Sequence, residues 1–132
     1  MQKKVLTLEM AKRIAAAAET KANANQWKAV IAVVDDGGHL VYLQRTDDTQ
    51  FGSVEVAIGK AYSAIAFKRP TKGWEERLAE GRLGFLSLPG KAVLLEGGLP
   101  LSAEGQVIGA IGVSGVQSSE DAQIAAAGAA AL

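Results

Sequence analysis

Residues 29–45, AVIAVVDDGGHLVYLQR, constrain the fold more than any other stretch. Ala29 to Val34 is an unbroken apolar run rich in Val and Ile. It is too short for a free-standing helix, so it predicts a strand covered on both faces. Asp36, Gly37 and Gly38 supply residues that tolerate positive φ, and Leu40 to Arg45 returns as a second strand. A chain committed to this hairpin must find two apolar layers to bury it.

The flanking sequence offers them. Thr7 predicts the N-cap of a helix running to about Asn23, with Leu6, Met10, Ile14, Ala17 and Ala18 recurring on one face. The small side chains of that face suit close packing on a sheet. Ser53 opens a second helix whose stripe is Val54, Ala57, Ile58, Ala61 and Ile65; Lys60 stands off that stripe. Pro70 stops it, because a helical Arg69 is disfavoured before proline. TKGWEERLAEG predicts a short helix ending near Gly81. Residues 91–97, KAVLLEG, predict a third strand, and residues 98–102 a short fourth. Pro100 places the fourth at an edge or a bulge, since proline cannot donate to a ladder. Ala103-Glu104-Gly105 makes a turn, residues 106–114 a fifth strand, and Ser118 with Asp121 a capping box opening a last alanine-rich helix. The sum is one α+β domain over residues 1–132, an antiparallel sheet between helices.

Glycines at 97, 98, 105, 109, 112 and 115 crowd the last two strands. They do not make a P-loop, because no lysine follows them. Nor do they make a dinucleotide fingerprint, because Gly109, Gly112 and Gly115 lie inside a strand rather than between a strand and a helix. Strict alternation puts Val107, Gly109, Ile111 and Val113 on one face and Ile108, Ala110, Gly112 and Ser114 on the other. Glycine within a strand marks a close approach of something. An alanine-rich helix is the favoured object and a ligand the alternative.

Composition narrows the function classes. The chain of 132 residues has 14 basic and 14 acidic residues, which gives no electrostatic footprint for nucleic acid or an anionic membrane. It has no cysteine and one histidine, so thiolate sites and disulfides are excluded and a protein-built metal site is not expected. No apolar run approaches the ~20 residues of a membrane span, and no leader segment is evident. A cytoplasmic protein is expected.

Three separated motifs carry a family resemblance. GGLPLSAEGQVIGAIGVSG followed by SSEDAQIAAAG, VVDDGGHLVYLQRTDD, and GKAYSAIAF together resemble the GlcG/HbpS-like family over nearly the whole chain. The resemblance implies a profilin-like fold, a five-stranded antiparallel sheet flanked by helices on both faces. It implies haem as a ligand, since some members bind haem and have been called haem-degrading. It also implies homo-oligomers, from dimer to octamer, and membership of catabolic operons. A related domain forms the C-terminal part of PduO-type proteins, where haem binding is associated with a histidine on the first helix; here the helix from Thr7 has none.

The candidate residues follow from both lines. His39, the lone imidazole, is the candidate haem ligand, with Tyr42, Tyr62, Lys60 and Met10 as substitutes. Asp35, Arg45 and Lys60 match recurrent polar positions of the family and are the candidate catalytic set. Arg45 would orient a small anion, and Lys60 or Asp35 would move a proton. Gly97, Gly98, Gly109, Gly112 and Ser114 are the candidate ligand-binding residues. GVSG lacks the spacing of a nucleophile elbow, so Ser114 reads as a hydrogen-bonding group. Trp27 and Trp74 read as packing anchors. Three functions remain open: a small-ligand or haem-binding protein, a cofactor-independent enzyme acting on a small carboxylate or carbonyl metabolite, and an assembly module without chemistry.

Overall fold

A computed structural model describes residues 2–132. Helix α1 spans Leu8–Ala24, strands β1 and β2 span Val30–Asp35 and Leu40–Arg45, and helices α2 and α3 span Ser53–Ala66 and Lys72–Ala79. A 3-10 turn covers Leu83–Ser87, then come β3, Gly98–Ala103, β4, Gln106–Ser114, and helix α4, Ser118–Ala129. Every strand pairing is antiparallel, in the order β2-β1-β4-β3.

The sheet has four strands where the sequence predicts five. Residues 91–97 do not pair as a strand. They run over the outside of α2, where the Val93 N–H donates to Ser63 Oγ at 2.8 Å and Gly59 leaves room for the Val93 side chain. The Glu96 N–H goes to Glu75 Oε1 at 3.2 Å. Side chains of two helices thus supply the acceptors a neighbouring strand would otherwise provide. An apolar run shows that a segment is covered; it does not show by what.

Helices cover both faces. Ile14, Ala15 and Ala18 of α1 and Ile124 and Ala125 of α4 meet Ile31, Val33, Ile111 and Val113 on one side. Ala57, Ala61, Ala64 and Ile65 of α2 meet Val30, Ala32, Val34 and Ala110 on the other. The doubly covered β1 is the buried strand that its apolar run predicts. Thr7 caps α1 by accepting the Met10 N–H at 3.1 Å. Glu104 and Gly105, both at positive φ, make the tight turn between β3 and β4.

Two local corrections matter for the site. The β3–β4 register slips between Leu101 and Ser102, leaving Ile108 as the extra residue of a bulge. Ile108 therefore joins the α1/α4 core and Val107 packs on the α2 side, the reverse of simple alternation. Pro100 sits on the edge strand beside this bulge. The α4 cap lies one residue earlier than expected. Gln117 is the N-cap, and its N–H donates to Glu120 Oε1 at 3.2 Å, which releases Asp121 from capping.

Candidate functional site

Lys60 is the most consequential polar residue. Its side chain leaves α2 and is 1% exposed, the largest fully buried side chain among the described residues. The ammonium donates to the Val113 carbonyl at 2.9 Å and to Asp121 Oδ2 at 3.1 Å. Asp121 is itself 2% exposed, and its Oδ1 accepts the Val116 N–H at 3.1 Å. Burial pushes the Asp121 carboxyl up from its ordinary range; the Lys60 charge and the N–H donors pull the other way without cancelling it. Since α2 and α4 lie on opposite faces of the sheet, the pair ties the two helical layers together past the start of β3. Sequence reasoning missed Asp121 as a partner. Its signal was a carboxylate one turn into a helix of small residues, directly after the glycine strand.

The glycines explain how this fits. A Cβ on Gly97 would lie 2.9 Å from Lys60 Nζ and 2.8 Å from the Val113 carbonyl. On Gly98 it would strike the Lys60 backbone, and on Gly112 the Ala57 carbonyl and the Ala61 N–H of α2. On Gly109 it would strike the Val34 carbonyl of β1. The space beside these candidate ligand-binding residues is filled by α2, Lys60 and β1. Ser114 is nearly buried at the end of β4, level with Val30.

The candidate catalytic set is not brought together. Arg45 is level with Val30 and Ser114 but two strands from β4, about 10 Å across the ladder. It is exposed, with no ion pair among the described residues. Asp35 lies at the other end of β1, five residues or about 17 Å away.

Asp35 instead organises the hairpin turn. Its Oδ1 accepts the Gly37 and His39 N–H groups at 3.0 and 2.9 Å. Burial opposes ionisation of this carboxyl, but the two N–H donors and the neighbouring imidazole outweigh it and hold its pKa below the usual range. His39 Nδ1 lies 3.5 Å from the same oxygen, with 84% of the His39 side chain exposed. Leu40 beside it is also exposed, as is Val5 in the N-terminal segment that the Lys3–Asp36 ion pair, 2.7 Å, ties to the turn. Among the substitutes, the Tyr62 ring packs against Gly38 and its hydroxyl points to Gly90, Tyr42 hydrogen-bonds Gln44 at 3.4 Å, and the Met10 sulfur accepts the Thr7 N–H.

An apolar pocket of about 230 Å³ opens elsewhere, lined by Leu78, Phe85, Leu86, Leu88, Ala92, Leu94 and Leu95. Trp74 supports it from beneath, edge-to-face with Phe85 at 4.9 Å and with Phe67 at 5.2 Å. No lining residue is an iron ligand. His39 carries an outward imidazole beside the Asp35 carboxylate, a side-chain type able to ligate haem iron. No helix of the described residues is long and apolar enough to cross a membrane.

An α+β sandwich with a buried lysine bolt and one outward histidine is the class these features define. The chain belongs to the HbpS-like family, described as "Haem degrading protein HbpS-like", which matches residues 6–130. It is 45% identical to the protein GlcG of Escherichia coli K12 over 112 residues, 85% of this chain and 83% of that one. Among solved structures it is similar to a double mutant of Streptomyces reticuli HbpS, with 34% identity, a TM-score of 0.90, and coverage of 100% of this chain and 90% of that one. It is also similar to a PduOC:heme complex, with 29% identity, a TM-score of 0.87, and coverage of 98% and 96%.

Proposed function

We propose that this chain is a homo-oligomeric, cytoplasmic haem-binding protein in which His39 is the iron ligand. The observation that carries this reading is the Asp35–His39 pair. An ionised Asp35 favours the proton on Nδ1, which leaves the Nε2 lone pair facing outward for iron. Leu40 and Val5 are exposed aliphatic residues on the segments that meet at this turn, and a neighbouring subunit would supply the cover. Haem, when bound, supplies redox-active iron; the chain's own part is to hold one imidazole with its Nδ1 toward Asp35. The haem complex of a structural neighbour supports the ligand class. The buried, paired Lys60 supports a structural role for that residue rather than contact with a metabolite.

A haemin titration followed by absorbance tests this. Wild-type protein should give a saturating one-to-one Soret shift that His39→Ala loses. Asp35→Asn should weaken binding about 10-fold, as loss of a histidine-orienting carboxylate does. An unchanged shift in His39→Ala would move the ligand elsewhere, and a non-saturating wild-type response would end the haem reading.

A further inference from the structure

Phe51 is 82% exposed, an aromatic ring standing in solvent just before α2. Its backbone is fixed, not loose: the Phe51 carbonyl accepts the Val54 N–H at 3.1 Å, and Gln50 Nε2 donates to Ser53 Oγ at 3.1 Å. The same chain carries a matching hole, the apolar pocket of about 230 Å³ behind the 3-10 turn. An apolar cavity of about 150 Å³ is enough to take up benzene. Leu86 and Leu95 at its mouth are 69% and 42% exposed, and Leu83 on the same turn is 64% exposed.

The charges nearest in sequence differ in sign on the two sides. Residues 46–55 around Phe51 carry Asp47, Asp48 and Glu55 and no cation. Residues 81–95, which supply most of the pocket lining, carry Arg82 and Lys91 and no carboxylate. None of these five charges takes part in an ion pair among the described residues. The Arg82 guanidinium sits over the Phe85 ring, 5.1 Å from its centroid, at the pocket wall.

We propose that Phe51 of one chain seats in the Leu86–Leu95 pocket of a second copy, its acidic collar facing Arg82 and Lys91. Both halves of the contact belong to the α2 layer. Phe51 precedes the helix, and the segment behind the pocket crosses it at Gly59, eight residues or about 12 Å further on. In a two-fold assembly the contact would form twice, which closes it. A buried aromatic in a desolvated pocket within a charged rim is the arrangement that dominates interface energies. This rests on the homo-oligomer of the proposed function and names its interface.

The chain has no cysteine, so engineered ones report cleanly. Phe51→Cys protein mixed with Leu95→Cys protein should form an interchain disulfide on mild oxidation. Sedimentation of Phe51→Ser should show self-association weakened about 30-fold, as expected for loss of a buried anchor. Leu95→Arg should do the same from the other side, each variant keeping its far-UV circular dichroism. Arg82→Glu should weaken association, and adding Asp47→Lys should restore it. A wild-type chain that stays monomeric at every concentration overturns both the oligomer and this interface. An oligomer that persists in Phe51→Ser and gives no cross-link overturns the interface alone. So does equal uptake of an apolar fluorescent dye by wild-type and Phe51→Ser oligomers, since the pocket would then be open to small ligands.

Discussion

At the scale of the residue, Lys60 carries the clearest energetic consequence. Removing one partner of a buried ion pair leaves the other charge without compensation, which costs about 3–5 kcal/mol. Lys60→Ala should therefore lower the urea midpoint steeply. Lys60→Met combined with Asp121→Asn should recover most of the loss, because Asn still accepts the Val116 N–H and the methionine fills the channel beside Gly97. The pH response follows from Asp121. Its folded pKa lies above the unfolded one, so the folded state holds the proton more tightly. Stability should thus fall as pH rises from about 4 through the raised pKa, then level off, and Asp121→Asn should remove that slope. A wild-type slope unchanged in the variant would assign it to another group.

At the scale of the element, the segment 91–97 shows how far sequence reaches. Val93, Leu94 and Leu95 announce burial, and Leu94 is buried, yet the segment belongs to the outside of α2 and not to the sheet. Its placement depends on Ser63, whose hydroxyl donates to the Gly59 carbonyl at 2.8 Å while accepting the Val93 N–H. Ser63→Ala leaves that half-buried N–H unpaired, which should cost about 1 kcal/mol and speed hydrogen exchange through residues 91–97. Exchange confined to its wild-type rate would mean the segment is held by its apolar contacts alone. The hairpin of β1 and β2, the cap at Thr7 and the edge position of Pro100 were all legible, because each depends on neighbours a few residues away. The bulge at Ile108 and the Gln117 cap were not, since one is set by the partner strand and the other by the buried use of Asp121.

At the scale of the whole molecule, β1 and β4 are wrapped by α1 and α4 on one side and α2 on the other, and Lys60 joins the two layers at one end of the sheet. The exposed Phe51 precedes α2, and the segment behind the open pocket crosses the outer side of that helix. Three motifs in the sequence were enough to place the chain in its family, and the apolar periodicities were enough for the class and most element boundaries. Local sequence determined these because backbone conformation, turn chemistry and burial periodicity are set over a few residues. The tertiary structure alone decided what each buried group meets. It turned Lys60 from a candidate base into an ion-pair bolt, filled the space beside Gly97, Gly98 and Gly112 with α2 and its lysine, and separated Arg45 from Asp35 by the length of β1. The ion pair joins side chains 61 residues apart, and sequence periodicity does not encode which distant charge or backbone arrives at a given face.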